Sequence, residues 1–436
     1  MNSYRIKKGH NLKVSGTPEL KIYNVPEPQV VTLHPSRLKS FKTKLLIKIN
    51  DDVKVGMPLF FDKNNSDVMF VSPVSGKISD IIYGKRRIIE SVIINNDNNY
   101  STVLVDNDIS KDTLLVSGLW SLIRQKPFSK IPHSQSLPKS FFISTIPTIP
   151  FAIDYSFLFQ NIDNCIQDGI DVLKKIFNCD INIAISKNSI FSNLKNVHFH
   201  TFNKLHPSGN VGVQIHHIDP IKNANDTRWY LSLQDLNRIG LYFKNKDNLH
   251  YKYISVGGNG FEKPAYYKTL QGTPINKMIK CSKSDDVRYI SGDVLSGNEI
   301  SNNLSMDYYD EILSSIKIDN KREFLGWLMP GLKKYSLSNA FLSKVISNNK
   351  SVLSTKLHGS IRTIIPMGNW DKVLPMNIYS EYLVKSIIAK DIDMMEKLGI
   401  YEASPEDFSL CSFVCQSKVE VSSIIEEGLD LMESEL

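Results

Sequence analysis

The chain has 436 residues, of which 42% are hydrophobic and 22% are charged. This length predicts two to four domains, and the composition is that of a globular protein, which excludes a wholly disordered chain. The net charge is +7, but the lysines and arginines are scattered and form no basic stripe interleaved with aromatic residues. We therefore expect no nucleic-acid partner, whereas attraction to an anionic membrane surface or an acidic protein stays open.

The cysteines and the apolar runs indicate the cellular compartment in which the chain is expected to work. Five cysteines in no regular framework argue against a disulfide scaffold and fit a reducing environment. No apolar signal segment follows the first residues. The most apolar long stretch, residues 141–159, contains Pro147, Pro150 and Asp154, while a membrane-spanning helix needs about 18 uninterrupted apolar residues. We expect a chain that is soluble by itself.

Residues 1–105 carry short apolar runs between Gly, Pro and Asn-Asp, a pattern that predicts a small all-β unit. The stretches "DDVKVGMPLFFDK" and "VSPVSGKISDII" resemble the barrel-sandwich fold of biotinyl and lipoyl carrier domains. Those carriers hold their cofactor on a lysine at a hairpin tip, and Lys63 is the analogue. The methionine-flanked acceptor pattern is absent, and the span from Lys63 to "SPVSG" is long for a tight hairpin. We expect no swinging-arm role.

Residues 106–250 alternate strand-like and helical patterns. The runs "KSFFISTIP" and "INIAIS" flank a stretch, Asn161–Phe177, whose apolar residues recur at helical spacing. Strand–helix–strand alternation predicts an α/β domain with a parallel sheet, here Rossmann-like. Within the helix we interpret Cys165 as a small core residue.

Residues 251–330 contain the cluster "GGNGF". No Gly-Lys-Ser/Thr closes it and no G-x-G-x-x-G leads into a helix, so a phosphate-binding loop is weakly supported. The block resembles the β-grasp module of soluble ligand-binding domains, in which the glycines shape a strand–loop–strand segment.

Residues 331–436 are predicted to be mainly helical. The stretch Glu381–Gly399 has helical periodicity and ends at a glycine, a common C-cap. Cys411 and Cys415 are four residues apart and share a face of a helix. Metal and cluster sites normally add further cysteines or histidines, so a ligand pair here is weakly supported.

The segment "HPSGNVGVQIHHIDP" holds the densest polar cluster of the sequence. Its alternating small and apolar residues predict a strand, on which His217 and Asp219 share a face and His216 points the other way. His206 precedes the Pro-Ser-Gly turn. A His-Asp pair fits a proton shuttle or a substrate-orienting role, but a metal site needs about three convergent ligands, and a structural hydrogen-bonding role is the plainer alternative. No nucleophile elbow, Walker motif or H-E-x-x-H helix is present, so we expect no self-contained active site.

Several stretches together resemble one family, the alpha subunit of the sodium-translocating NADH:quinone reductase (Na+-NQR) of bacterial inner membranes. They follow one another nearly from end to end of the chain: "IKKGHNL", "FVSPVSGKI", "GKRRIIESVII", "HPSGNVGVQIHHIDPI", "RYISGDVLSG", "REFLGWLMPG", "IIPMGNWDKVLPMNI" and "LCSFVCQSKVE". The resemblance identifies the histidine segment as a family signature without assigning it a task.

The resemblance implies a peripheral subunit on the cytoplasmic face of the membrane, in a six-subunit complex that oxidises NADH, reduces ubiquinone and exports sodium. It implies that FAD, FMN, riboflavin and iron–sulfur centres belong to other subunits and that this chain binds no cofactor. The expected partners are the other five subunits, chiefly the membrane subunits that carry flavin, with ubiquinone as a candidate ligand.

Two hypotheses follow. In the first, the chain contributes to the quinone-reducing site, with His206, His216, His217 and Asp219 as weak candidate residues. In the second, it is an assembly module without a small-molecule ligand, which predicts exposed apolar patches and no polar-lined pocket. Phe324, Trp327 and Met329 suit an interface, and a core role suits them equally.

Overall fold

The computed structural model describes residues 2–103, 108–245, 251–280, 286–301, 303–319 and 351–435, and also 321, 325–326, 328–332, 335 and 341–343. The strands, numbered in chain order, are β1 Asn2–Tyr4, β2 Glu19–Asn24, β3 Val30–Leu33, β4 Thr43–Leu45, β5 Asp52–Val53, β6 Pro58–Asp62, β7 Asn65–Val71, β8 Gly76–Tyr83, β9 Ile89–Asn96, β10 Arg124–Lys126, β11 Ser140–Ser144, β12 Asp180–Ile185, β13 His198–Phe202, β14 Arg228–Tyr230, β15 Tyr251–Gly258, β16 Ala265–Leu270, β17 Val287–Ser291, β18 Asn298–Glu299 and β19 Ile312–Lys317. The helices are α1 Lys111–Val116, α2 Tyr155–Gln160, α3 Ile166–Phe177, α4 Val211–Ile218, α5 Leu233–Asn245, α6 Ile275–Met278, α7 Ser380–Ile388, α8 Ile392–Lys397, α9 Ser409–Val414 and α10 Val421–Ser434.

The predicted β-rich unit is found between β3 and β9. Two antiparallel sheets, β3-β9-β8-β5 and β4-β6-β7, enclose one core in which the rings of Phe60 and Phe70 stack at 5.0 Å. Apolar side chains alternate along these strands because one face of each sheet is buried and the other is wet. Lys63 is exposed in the two-residue turn between β6 and β7, so it does stand at a tight hairpin tip.

The second unit is built on a six-stranded sheet of order β1-β13-β12-β11-β14-β10. The pairs from β1 to β14 are parallel, and β10 is antiparallel to β14. Helices α3 and α5 cover one side of this sheet, and the core between them contains the fully buried Phe141, Ile183 and Trp229. The predicted α/β organisation is therefore confirmed. In chain order, β12 and β13 add to one side of β11, and β14 then adds to its other side. The strand order therefore reverses at β11.

The third unit is a mixed sheet of order β18-β17-β19-β15-β16-β2. The glycine cluster lies where β15 ends and the chain turns to pair β16 antiparallel with β15, so the expected strand–loop–strand segment is found. A side chain at Gly257 would overlap the ring of Phe151, which explains the glycine there. The edge strands β1 and β2 come from the N-terminal segment, so residues 2–24 join sheets of the second and third units.

The C-terminal unit is helical, as expected, and packs its own core around Leu383, Met395 and Leu429. The stretch predicted as one helix divides into α7 and α8, because Lys390 adopts a left-handed φ of 56° and Asp391 caps α8 through its side chain. No helix among the residues that the structure describes is long and apolar enough to cross a membrane.

The strand predicted for the histidine segment was wrong, because residues 211–218 form the helix α4. Four consecutive residues, 212–215, are buried, since α4 lies between the parallel sheet and the C-terminal unit. Burial on opposite sides of a short helix hides its period, and the remaining alternation imitates a strand. His217 and Asp219 therefore share no strand face.

Candidate functional site

A cleft of about 290 Å³ opens at the carboxyl ends of β11 and β14, which lie on either side of the reversal in strand order. In open parallel sheets this reversal leaves a crevice, because the two connections leave the sheet towards opposite faces. Ser144 and Tyr230 mark the strand ends, and the residues before α4 close one side. The third unit adds residues around Asp310, and the C-terminal unit adds Glu406. The cleft is therefore a junction of three units.

Arg124 lines the cleft and contacts two aromatic rings, but it forms no ion pair with a described residue. The guanidinium carbon of Arg124 lies 4.6 Å from the ring centre of Tyr230 and 4.5 Å from that of Tyr309. These two cation–π contacts hold the guanidinium in place. Nε of Arg124 and the hydroxyl of Tyr230 are buried without a hydrogen-bond partner in the described structure, and no described residue forms an ion pair with Arg124.

A second group of residues that line the cleft is acidic. Tyr155, at the start of α2, donates a hydrogen bond of 2.7 Å to Oε2 of Glu311, whose Oε1 is buried without a partner among the described residues. Burial raises the pKa of Glu311 more than the charge of Lys252 lowers it. Burial also raises the pKa of Asp310 to about 6, although Ser291 donates a hydrogen bond of 2.6 Å to its carboxylate.

The C-terminal unit closes the cleft through one loop. Nζ of Lys126 lies 3.4 Å from Oε2 of Glu406. Burial acts to raise the pKa of Glu406, but the charges of Lys126 and Arg124 outweigh it and bring the pKa down to about 2. Asn210 donates a hydrogen bond of 3.1 Å to the backbone oxygen of Glu406, which fastens this loop to the start of α4.

The four residues predicted from the histidine segment do not converge. His206 is 1% exposed, and its Nδ1 lies 3.2 Å from the hydroxyl of Thr148, a residue that lines the cleft. Nε2 of His206 is buried without a partner in the described structure. Burial, with a smaller effect from the charge of His10, lowers the pKa of His206 to about 4. His206 therefore sits behind the cleft wall as a neutral ring.

His216 and His217 face the C-terminal unit. Nδ1 of His216 donates to the carboxylate of Glu402, and its Nε2 accepts a hydrogen bond of 2.9 Å from the backbone of Asn377. Nε2 of His217 donates to the backbone oxygen of Pro375 at 2.9 Å. Burial and the neighbouring His216 lower the pKa of His217. These bonds join α4 to the helical unit.

Asp219 ends the segment in an ion pair. Nε and Nη2 of Arg228 donate to its two oxygens at 2.6 and 2.8 Å, and Lys139 approaches at 3.2 Å. Burial acts to raise the pKa of Asp219, but the hydrogen bonds and charges of Arg228 and Lys139 hold it below its usual value. The Arg228 side chain is fully buried and also binds Asp226 at 2.6 Å.

The other described residues that the sequence singled out as possible ligands or interface residues do not line the cleft. Cys411 and Cys415 are both buried in the C-terminal core, and burial raises the pKa of the Cys411 thiol. Within the described ranges, no group of three or more His, Cys, Asp or Glu side chains is placed to hold a metal ion. Met329 is 56% exposed, while Phe324 and Trp327 lie outside the described residues.

Sequence reasoning missed Arg124, Tyr155, Tyr230 and Glu311. They belong to β10, α2, β14 and the residue before β19, and no spacing in the sequence links them. The order of the parallel strands is the signal that locates the cleft, and this order is known only once the sheet is formed. The fold and the cleft define a multidomain α/β protein with a small-ligand crevice at the strand reversal of its parallel sheet.

Comparison with known proteins gives the family. Three family models match: the NqrA N-terminal barrel-sandwich hybrid domain over residues 4–97, the NqrA second alpha/beta domain over 105–247, and the NQRA C-terminal domain over 253–302. The chain therefore belongs to the NqrA family of the Na+-translocating NADH-quinone reductase, as the sequence resemblance predicted.

Relatives named for the NqrA component of this reductase match over the whole chain. The protein of Rhodopirellula baltica is 32% identical over 99% of this chain and 98% of its own. Those of Tolumonas auensis and Yersinia pseudotuberculosis are 30% and 31% identical, each over 99% of both chains. A chain of an NAD+-reducing [NiFe]-hydrogenase structure superposes on 42% of this chain and 41% of its own with a TM-score of 0.32 and 7% identity, a likeness too weak to carry an argument.

Proposed function

We propose that this chain is a peripheral subunit, on the cytoplasmic side, of a Na+-translocating NADH:ubiquinone reductase, and that its cleft binds the quinone ring. The relatives named for this reductase support membership of the complex. The observation that carries the quinone assignment is a set of buried polar groups at the cleft that no described residue pairs: Nε of Arg124, the hydroxyl of Tyr230 and Oε1 of Glu311. Buried polar groups normally have partners, so a ligand that supplies them explains this arrangement.

A quinone fits the cleft in size and in chemistry. The volume of about 290 Å³ is near the lower end of the range, roughly 300–1,000 Å³, of pockets that hold small ligands. Ile146, Ile149 and Ile153 supply an apolar surface for a ring. A quinone carries two ring oxygens, and the cleft is lined by Arg124, Tyr230 and Glu311, each with a buried polar atom that no described residue pairs.

The chain is proposed to supply the binding site and the fold, while the redox groups belong to other subunits. The second unit is proposed to be Rossmann-like and the third to be a β-grasp module, within domains at about 1–105, 106–250, 251–330 and 331–436. FAD, FMN, riboflavin and iron–sulfur centres are assigned to the other five subunits, and NADH enters there. A part for His206, His216, His217 and Asp219 in quinone binding stays a prediction, and His206 is the one placed next to the cleft wall.

A second function, bracing of the membrane subunits, is favoured by the surface of the C-terminal unit. Several large apolar side chains are more than half exposed there: Leu357, Ile361, Ile365, Met367, Tyr379 and Tyr382. Exposed apolar patches mark protein contacts, because monomeric proteins seldom leave them in water. Quinone binding and bracing are compatible in one chain, since the patch and the cleft involve different residues.

Titration of the full-length chain with ubiquinone-1, followed by tryptophan fluorescence, tests the quinone proposal. Trp229 precedes Tyr230 in β14 and is a suitable reporter. We expect saturable binding that Tyr230→Phe weakens roughly three- to tenfold through one lost hydrogen bond. Binding in the cleft predicts an unchanged affinity in His216→Ala and His217→Ala, whereas a part for the histidine segment in quinone binding predicts a loss.

A loss of affinity in His216→Ala or His217→Ala, with Tyr230→Phe unaffected, would move the site to the histidine segment. No saturable binding by the folded chain would leave bracing as the function.

A further inference from the structure

Arg124 and Glu311 both line the cleft, and they differ in the hydrogen bonds that they can form. Arg124 can only donate, because a guanidinium has no acceptor. Its guanidinium carbon lies 4.6 Å from the ring centre of Tyr230 and 4.5 Å from that of Tyr309, and its Nε is buried without a hydrogen-bond partner among the described residues. Arg124 therefore recognises an oxygen that accepts, whether it is a carbonyl or a hydroxyl.

Glu311 can either donate or accept, depending on its proton. Its Oε2 accepts from Tyr155 at 2.7 Å, the Ser232 hydroxyl also acts to lower its pKa, and its Oε1 is buried without a hydrogen-bond partner among the described residues. The charged groups that face Glu311 are Lys252 on β15 and Asp235 on α5, and their effects oppose each other. Burial is the largest influence and raises its pKa.

The other groups that line the cleft have partners of their own. The Asp310 carboxylate accepts from Ser291 at 2.6 Å, and Oδ1 of Asp293 accepts from the backbone N–H of Leu295 at 2.7 Å. The Tyr309 hydroxyl donates to the backbone oxygen of Ser121 at 2.8 Å. Among the described residues that line the cleft, Glu311 is thus the acid that has a buried oxygen available.

Given the proposed function, we infer that the cleft binds both the quinone and the quinol, with Arg124 donating to one ring oxygen in either form and Glu311 bonding the other oxygen. As a neutral acid, Glu311 donates to the carbonyl of the quinone. As a carboxylate, it accepts from the hydroxyl of the quinol. The proton on Glu311 therefore decides which form is held more tightly, and the step involves hydrogen bonds only.

The consequence is opposite pH dependence for the two forms. Quinone binding requires the protonated acid, so quinone affinity falls as the pH rises through the pKa of Glu311. Quinol binding requires the carboxylate, so quinol affinity rises over the same interval. A group that only holds the fold would change both affinities in the same direction.

Isothermal titration calorimetry of the full-length chain with ubiquinone-1, and with ubiquinol-1 under anaerobic conditions, measures both affinities from pH 5 to pH 8. We expect the two curves to cross, each changing by about tenfold, the size of a hydrogen bond to a charged group. Glu311→Gln, which keeps an acceptor for Tyr155 and cannot exchange a proton, should abolish the crossing and leave only the change with pH that both forms share through Asp310, whose pKa is about 6. Arg124→Gln should weaken both forms about tenfold and keep the crossing.

Two further variants control for the fold. Tyr155→Phe removes a hydrogen bond from the carboxylate, so the crossing should move to higher pH, whereas a purely structural role would not move it. Glu262→Gln, on the exposed surface of the same unit, should match the wild type.

The outcomes separate the two proposals. If the wild-type chain binds neither form, the quinone proposal fails and this inference with it. If it binds both forms but Glu311→Gln keeps the crossing, the role of Glu311 is wrong while the quinone proposal stands. Equal affinities in Arg124→Gln and wild type would remove Arg124 from the site.

Discussion

The residues from His216 to Asp219 at the end of α4 and the cleft between β11 and β14 both bury polar side chains, but they differ in how those side chains are paired. Both nitrogens of His216 have hydrogen-bond partners, and Arg228 binds two carboxylates, Asp219 and Asp226. In the cleft, Arg124 and Glu311 leave buried atoms without partners in the part of the chain that the structure describes. The two regions share a wall, since residues 209–211 line the cleft just before α4 begins.

This difference distinguishes buried polar groups that stabilise the fold from buried polar groups that a ligand would pair. A buried polar group costs free energy unless it is paired, so a folded protein pairs the groups that serve its stability. Groups left unpaired at a cleft cost stability and are explained by a ligand. A cluster of histidines in the sequence is therefore weaker evidence for a site than a single arginine without a partner in the described structure.

The largest expected change in the free energy of unfolding comes from breaking the ion pair between Arg228 and Asp219. Arg228→Met removes a fully buried cation and leaves Asp219 and Asp226 without it, which should lower the free energy of unfolding by about 3–5 kcal/mol. Urea unfolding measures the change. Lys139→Met, which removes an exposed partner of the same aspartates, should cost less than about 1 kcal/mol. Equal losses of unfolding free energy in the two variants would show that the buried Arg228 contributes no more to stability than the exposed Lys139.

The next largest expected effect is a loss of stability at low pH. His206 has a folded-state pKa of about 4 against 6.5 for a free histidine, so the unfolded chain binds more protons between these values. Stability should therefore fall as the pH is lowered from 6.5 to 4, by about 3 kcal/mol from this residue. His206→Gln should reduce the slope of unfolding free energy against pH in that interval.

His34 provides the comparison for this prediction. Burial lowers its pKa to about 4 as well, so part of the slope should remain in His206→Gln and disappear only when His34 is also replaced. An unchanged slope in the double variant would mean that neither ring is held neutral by the fold.

A smaller loss is expected from His216→Leu. The variant removes the bonds to Glu402 and Asn377, which join α4 to the helical unit, so unfolding free energy should fall by about 2 kcal/mol. Thermal unfolding measures it, with exposed His133→Leu as the control. Quinone affinity should not change, and a parallel loss of affinity would contradict the division between the two regions.

The smallest stability effect is expected in the cleft. Arg124→Gln removes two cation–π contacts but no hydrogen bond to a described residue, so unfolding free energy should fall by about 1 kcal/mol. Urea unfolding checks this, and Arg87→Gln on the exposed surface is the matched control. A loss of several kcal/mol would place Arg124 among the structural groups.

Local patterns in the sequence were enough for several elements. The apolar spacing of residues 161–177 predicted a helix, and α3 lies within that stretch. The short apolar runs before residue 105 predicted the β-rich unit. These elements bury one face only, so their periods are visible in the sequence. The family followed from ordered stretches along the whole chain, and the family models confirmed it.

By itself, then, the sequence determined the family, the α/β and helical units and the family signature around His216. The tertiary structure decided that this signature is a helix in which His216 and His217 bond to the C-terminal unit, and that Arg124, Tyr230 and Glu311 meet at a cleft built by β10, α2, β14 and the start of β19. The reason is physical: a helix period is read from neighbours in the chain, whereas pairing depends on groups that only folding brings together.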